Sequence, residues 1–169
     1  GGNQLRREFE LEARPVRARA YVTGLGYYEL RINGRKVGDH VLDPGWTTYD
    51  KRVLYVTYDV TQYLRPGANA VGLILGQGWY GKREGLLQLN IEMEGGRTVE
   101  IVTDGQWKAT QGPILADSIY DGETYDATRE TPGWDRPGFD DSGWTPAKVV
   151  PGPKGVLSAQ MMPAIKVVD

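Results

Sequence analysis

The sequence has 169 residues, no cysteine and a formal net charge of −2, which is enough chain for one domain with its own core. The lack of cysteine excludes disulfides, thiolate metal sites and thiol nucleophiles. Because the charge is slightly negative and no apolar run approaches the roughly 20 residues that cross a bilayer, we predict neither nucleic-acid binding nor membrane insertion.

The first half of the chain predicts strands. Apolar residues at 28, 30 and 32 alternate with polar ones and end at Asn33-Gly34, a pattern typical of a β-hairpin. The run 53–58 is rich in β-branched and aromatic residues, which favour a second strand.

A helical turn is predicted next. Asp59 and Gln62 have the spacing of a capping box, so residues 60–64 should form one turn that ends at Pro66-Gly67. The apolar segment 69–75 then predicts a buried strand.

The remaining pattern is also that of strands. The sequence places turns at Gly95-Gly96 and at Asp104-Gly105, on either side of a strand over 98–102. Four alternating apolar residues predict a strand with one buried face: Leu87, Leu89, Ile91 and Met93. Turn signals recur about every ten residues and no helical stripe appears, so we predict an all-β, antiparallel jelly-roll sandwich with one or two short helical turns.

Five sequence blocks, in this order, resemble the N-terminal β-sandwich of bacterial α-L-rhamnosidases of glycoside hydrolase family 78. The blocks are residues 26–39, 42–49, 58–61, 76–80 and 119–127. The resemblance spans roughly residues 5–165 and implies a galactose-binding-like fold within a multidomain exported enzyme, periplasmic or extracellular in a bacterium. It implies that residues 1–169 are a single accessory module, whose partners are a separate catalytic (α/α)₆ barrel and neighbouring β domains of the same polypeptide.

Asp121 and Glu123 are the carboxylates that most resemble a catalytic pair. On one strand their Cα atoms would lie about 6.5–7 Å apart, not far from the carboxyl separations of glycosidases. Gly122 between them favours a loop or bulge instead, so we expect no catalytic residue in this chain. We expect the segment to lie at the edge of the sandwich and to face the barrel or a ligand through four residues: Asp121, Glu123, Tyr125 and Asp126.

Aromatic residues are the other candidates, because sugars stack on aromatic rings while polar neighbours bind their hydroxyls. The chain has five Trp and ten Tyr. Trp46 and Trp79 follow glycines in predicted loops, where they either anchor the loop or bind carbohydrate. Some members of the resembled family use this sandwich as a calcium-dependent rhamnose-binding module, which makes seven residues candidates for carbohydrate binding: Trp46, Thr48, Tyr49, Asp50, Gln77, Trp79 and Tyr80.

Calcium is a possible ligand, although no other cofactor is required. A calcium ion takes 6–8 oxygen ligands, and the scattered acids assign none of them. The family commonly has an acidic residue where this chain has Thr48, so that ligand does not transfer directly.

The other motifs favour structural roles. His40 has no serine or cysteine motif beside it, and we expect it at the surface. The glycines of 24–26 and 76–78 indicate turns or close backbone approaches, since no helix follows them. The acidic segment 138–144 indicates a turn that packs on the sandwich.

Three functions stay open. The first is an accessory module that supports the catalytic barrel or substrate recognition, the second an independent calcium-dependent L-rhamnose-binding module, and the third an unrelated immunoglobulin-like interaction domain. An exposed apolar strip would favour the first over the second.

Overall fold

Alternating apolar and polar residues give short strands along the whole chain. The computed structural model describes residues 2–79 and 82–168, and within those residues it has fifteen strands, no α-helix and three 3-10 turns. The strands are β1 Gln4–Leu11, β2 Arg17–Leu25, β3 Tyr27–Ile32, β4 Arg35–Lys36, β5 His40–Val41, β6 Arg52–Asp59, β7 Gly67–Gly76, β8 Glu84–Glu92, β9 Thr98–Val102, β10 Lys108–Thr110, β11 Ile114–Ser118, β12 Gly122–Tyr125, β13 Thr145–Pro146, β14 Val156–Ala159 and β15 Ile165–Lys166. The 3-10 turns are Thr61–Tyr63, Glu94–Gly96 and Ala127–Arg129.

Two large sheets form the sandwich. One has the strand order β13-β10-β1-β7-β3-β4 and the other β14-β6-β2-β8-β9, while β11-β12 and β15-β5 are separate pairs. The predicted all-β antiparallel fold is confirmed. One pair differs, because β14 reaches the edge of β6 after a long excursion and lies parallel to it, as a strand can when no tight turn joins it to its neighbour.

The core lies between the two sheets. Leu87, Leu89 and Ile91 of β8 are each no more than 1% exposed, and Met93 is 4% exposed, which confirms the predicted buried face. They meet inward residues of the six-stranded sheet such as Leu73. Their polar neighbours point to the outside, as the two-residue period of a strand requires.

The predicted hairpin and the predicted helical turn are both present. Asn33 and Gly34, with φ values of 51° and 83°, join β3 to β4, the geometry expected of a tight hairpin turn. The predicted capping box between Asp59 and Gln62 does not form. Asp59 instead accepts hydrogen bonds from the backbone N–H and hydroxyl of Thr61, at 3.0 and 2.6 Å, because an aspartate readily binds the backbone two residues ahead.

Segment 126–144 crosses the outer face of the six-stranded sheet. Trp134 lies over Gly72, where a larger residue would collide with the indole. Arg6 of β1 is 1% exposed under this segment, pairs with Glu8 and Asp141, and donates from Nε to the Trp134 carbonyl at 2.7 Å. The buried guanidinium is therefore fully engaged, as a buried charge must be.

The two predictions for 138–144 and for the glycine motifs are also confirmed. Phe139 packs edge-on against Trp144 with ring centroids 5.8 Å apart, and Trp144 stacks on Trp134. Gly26 has φ 129°, and a side chain there would collide with the Gly76 carbonyl, so both glycine motifs serve a close approach of two backbones.

Candidate functional site

Three exposed aromatic rings from distant parts of the sequence meet at one end of the sandwich. Trp46 and Trp79 stack with centroids 5.1 Å apart and planes 21° apart, and Tyr120 meets Trp79 edge-on at 5.0 Å. The three side chains, which we call the aromatic cluster, are 54%, 43% and 77% exposed respectively. The tryptophans are therefore not core residues, and the cluster offers its rings to solvent.

Asp117 of β11 connects two of the segments that carry the cluster. Its carboxylate accepts hydrogen bonds from the backbone N–H of Gln77 and from Arg83 Nη2, the latter at 2.8 Å. Across the β11-β12 pair Asp117 lies opposite Glu123. The Asp117 carboxylate therefore connects the β11-β12 hairpin to residues on both sides of Trp79 in the sequence, Gln77 and Arg83.

A polar network fixes the loop that carries Trp46. Asp43 is 4% exposed, and its Oδ2 accepts from the Tyr58 hydroxyl at 3.0 Å and lies 2.6 Å from His40 Nδ1. The Tyr58 and Tyr28 hydroxyls are 3.1 Å apart. Burial raises the pKa of both phenols well above the ordinary value, because the low-dielectric surroundings disfavour the charged phenolate.

His40 lies only partly at the surface. Its side chain is only 24% exposed, because Asp43 and Tyr58 hold the ring against the loop. The sequence offered one signal, a carboxylate three residues after the histidine, but Tyr58 belongs to β6 and no local pattern connects it to either residue.

The other predicted carbohydrate residues have different surroundings. Tyr49 anchors the loop, since its hydroxyl accepts from the Gly26 N–H at 3.0 Å. Thr48 and Asp50 are exposed beside the cluster's loop, and Gln77 is partly buried. Tyr80 lies outside the described residues.

Comparison with known proteins identifies the family of this chain. The family model for the N-terminal domain of α-L-rhamnosidases matches residues 13–169. The chain belongs to this family. It is 44% identical to an α-L-rhamnosidase of Streptomyces avermitilis over 99% of the chain, but it spans only 18% of the length of that relative.

Two solved structures agree with the fold of this family member. The α-L-rhamnosidase of Dictyoglumus thermophilum superposes with a TM-score of 0.94 at 44% identity, over 98% of this chain and 20% of the other. The S. avermitilis enzyme, in a structure complexed with L-rhamnose, gives a TM-score of 0.93 at 41% identity, over 99% and 18%.

In this rhamnosidase-family chain Asp121 lies in the turn, and Glu123 in the second strand, of the separate β11-β12 hairpin, outside the core. Both carboxylates are exposed. The neighbouring tyrosines do not pack beneath these carboxylates, since Tyr120 and Tyr125 are 77% and 50% exposed.

Asp126 has a local structural role. It accepts from the backbone N–H and hydroxyl of Thr128 at 3.0 and 2.5 Å, and so begins the 3-10 turn 127–129. The Thr128 hydroxyl bond is the main reason why the pKa of Asp126 lies below its ordinary value. Tyr125 donates to Glu130 at 2.7 Å, which raises the pKa of the phenol.

The described residues hold neither a metal site nor a membrane-spanning helix. Over residues 2–79 and 82–168, no three histidine or acidic side chains come together as a metal site would require. None of the helices in those ranges is long and apolar enough to cross a bilayer.

Proposed function

We propose that this chain is a non-catalytic accessory domain of an α-L-rhamnosidase and that it packs against other domains of the same polypeptide, including a catalytic barrel. One observation supports this most strongly. Half of the large apolar side chains exposed in the described residues lie between 149 and 168. They are Val149, Val150, Val156, Leu157, Met161, Met162, Ile165, Val167 and Val168.

This exposed segment, residues 149–168, continues onto the outside of a sheet. Leu157 of β14 lines a groove of about 290 Å³ together with Tyr21, Tyr55 and Leu86 on the outer face of the five-stranded sheet. Clusters of exposed apolar side chains often mark docking sites. A neighbouring domain would bury it, and the length of the relatives leaves room for one.

The carboxylates support a non-catalytic role. Glycosidic hydrolysis needs a proton donor and a second carboxylate on either side of a bound sugar. Asp121 lies in the turn before β12 and Glu123 in β12, and both side chains are exposed to solvent.

The test compares Leu157→Asp with Val16→Asp, which changes an equally apolar and 61% exposed residue outside the exposed segment. We expect Leu157→Asp to lower the unfolding temperature of a full-length α-L-rhamnosidase that contains this chain and to leave the 169-residue chain unaffected. Val16→Asp should affect neither. Equal behaviour of the two variants in the full-length enzyme would remove the support for domain packing.

A second candidate function is binding of a rhamnose-containing glycan, with or without calcium. It is favoured by the exposed stack of Trp46 and Trp79, since exposed rings are the usual platform for the apolar face of a sugar, and by the L-rhamnose in the S. avermitilis structure. Titration of the chain with L-rhamnose, in calcium and in a chelator, tests it. Saturable binding that Trp79→Ala abolishes is expected, and binding that survives this substitution would exclude the cluster.

A further inference from the structure

Part of the exposed segment lies along the loop that carries Trp46. We call residues 155–162 the strap and residues 43–51 the Trp46 loop. Two backbone hydrogen bonds, each 3.1 Å long, join them: the Gly155 N–H to the Tyr49 carbonyl and the Val156 N–H to the Lys51 carbonyl. From there β14 runs parallel to β6, which begins where the loop ends. The strap therefore follows the Trp46 loop from its C-terminal side.

Gln160 of the strap binds the Trp46 loop through its side chain. Its Oε1 accepts from the Gly45 N–H at 2.8 Å, and its Nε2 donates to Asp43 Oδ1 at 3.4 Å. The backbone N–H of Gln160 donates to the Tyr55 carbonyl of β6 at 2.9 Å, which fixes this side chain relative to the sheet. Because Gly45 directly precedes Trp46, its bond to Gln160 restrains the backbone from which the indole extends.

Met162 packs on the same loop. A side chain at Gly45 would collide with the Met162 sulfur, so the thioether lies directly on this glycine. Met162 is nevertheless 50% exposed, and Met161 beside it is 90% exposed. The strap thus contacts the Trp46 loop at the place where it also presents apolar side chains to solvent.

The aromatic cluster requires the Trp46 loop to hold one position. Trp46 stacks on Trp79, which belongs to a different segment, with centroids 5.1 Å apart and planes 21° apart. Aromatic pairs interact at centroid separations of about 4.5–7 Å, so a displacement of the loop would separate the rings. A surface that is already ordered binds a ligand more tightly than one that must be ordered on binding. The contacts of the strap therefore contribute to any affinity of the cluster.

We propose that Gln160 is a positioning residue for the aromatic cluster and that the strap links this cluster to domain packing. The inference rests on the proposed function, in which the exposed segment packs against a neighbouring domain. A domain that holds the strap also holds the Trp46 loop in its stacked position. Because linked equilibria are reciprocal, a ligand on the cluster strengthens the domain packing by the same factor.

The first test uses the 169-residue chain and NMR of its five tryptophan indole N–H groups. Gln160→Met keeps the length of the side chain and removes both of its bonds to the loop. We expect the indole signals of Trp46 and Trp79 to shift or broaden. The signal of Trp107 should stay in place, since its indole N–H bonds to a carbonyl of β9 at 2.8 Å.

The Trp79 signal decides this test, because a purely local role of Gln160 would move only the Trp46 signal. Lys166→Ala is the matched control, since it removes another contact of the exposed segment, the 2.8 Å ion pair with Asp39, and should move neither signal. Met162→Ala, at a half-exposed residue, is a milder second variant that should move both. The proposal is overturned if Trp79 is unchanged in Gln160→Met and Met162→Ala, or if Lys166→Ala moves it as far.

The second test follows hydrogen exchange of the Trp46 loop by mass spectrometry in a full-length α-L-rhamnosidase that contains this chain. Leu157→Asp should speed exchange in the loop more than it does in the 169-residue chain, because only the full-length enzyme has a domain that can release the strap. Val16→Asp should leave the exchange unchanged in both.

The outcomes of the second test separate this inference from the proposed function. If Leu157→Asp lowers the unfolding temperature of the full-length enzyme without speeding exchange in the loop, the link is overturned and domain packing stands. If it changes neither, the proposed function and the link both fail, and the Trp79 signal of the 169-residue chain still decides whether Gln160 positions the cluster.

Discussion

The inner strand β8 and the outlying strand β12 are both regular β-strands, but they are held in place by different forces. Every second residue of β8 from Leu87 to Ile91 is buried, whereas every residue of β12 is exposed. β8 is stabilised by apolar burial between two sheets. β12 depends on its pairing with β11 and on a few polar bonds, such as those of Asp117. A strand that the core does not need is free to present recognition residues.

The largest effect is expected at the core strand. Leu89→Ala removes a side chain that is fully buried and leaves a cavity, which should lower the free energy of unfolding by about 3 kcal/mol. Leu115→Ala in β11, where the leucine is 37% exposed, is the matched control and should cost much less. Urea unfolding of both variants measures this. Similar losses would mean that the hairpin belongs to the core after all.

An intermediate effect is expected where the hairpin is attached. Asp117→Ala removes the partner of Arg83, whose side chain is only 14% exposed, and should cost about 2 kcal/mol because the guanidinium stays buried without its carboxylate. The attachment next to Trp79 is lost as well, so the tryptophan fluorescence should change with it. A stable variant with unchanged fluorescence would show that Asp117 does not hold the aromatic cluster together.

The same contrast explains what the sequence could predict. The period of two identified β8 and the Asn33-Gly34 hairpin, because these depend on neighbouring residues. The aromatic cluster depends on Trp46, Trp79 and Tyr120, which only the folded topology brings together. The sequence marked both tryptophans as candidates but not their stacking.

The buried polar groups were missed for a related reason. Arg6 and Gln4 have the polar character of solvent-facing residues in a strand, and the sequence gives no sign that segment 126–144 covers that face of the sheet. Similarly, Asp43 is buried because Tyr58 and His40 complete its hydrogen bonds, and those partners lie on other elements.

A smaller, pH-dependent effect is expected at the end of the hairpin. The pKa of Asp126 is lowered in the folded chain, so its contribution to stability is present above the unfolded pKa of about 4 and is lost as the pH falls through the folded value. Asp126→Asn should therefore lower the unfolding temperature slightly at pH 7, and the difference from the parent chain should vanish at low pH. A difference that persists at low pH would assign the effect to geometry and not to charge.

The smallest effect in the chain itself is expected at the tip of the hairpin. Asp121→Ala and Glu123→Ala change exposed carboxylates, and exposed substitutions away from special features usually stay within about 0.5 kcal/mol. Calorimetry of the 169-residue chain should therefore show almost no change for either variant.

In a full-length α-L-rhamnosidase, by contrast, we expect lower stability or weaker substrate binding if this edge faces the barrel. Unfolding of the chain by either substitution would show that the segment is structural, and an unchanged full-length enzyme would move the domain contact away from this edge and onto the exposed apolar segment alone.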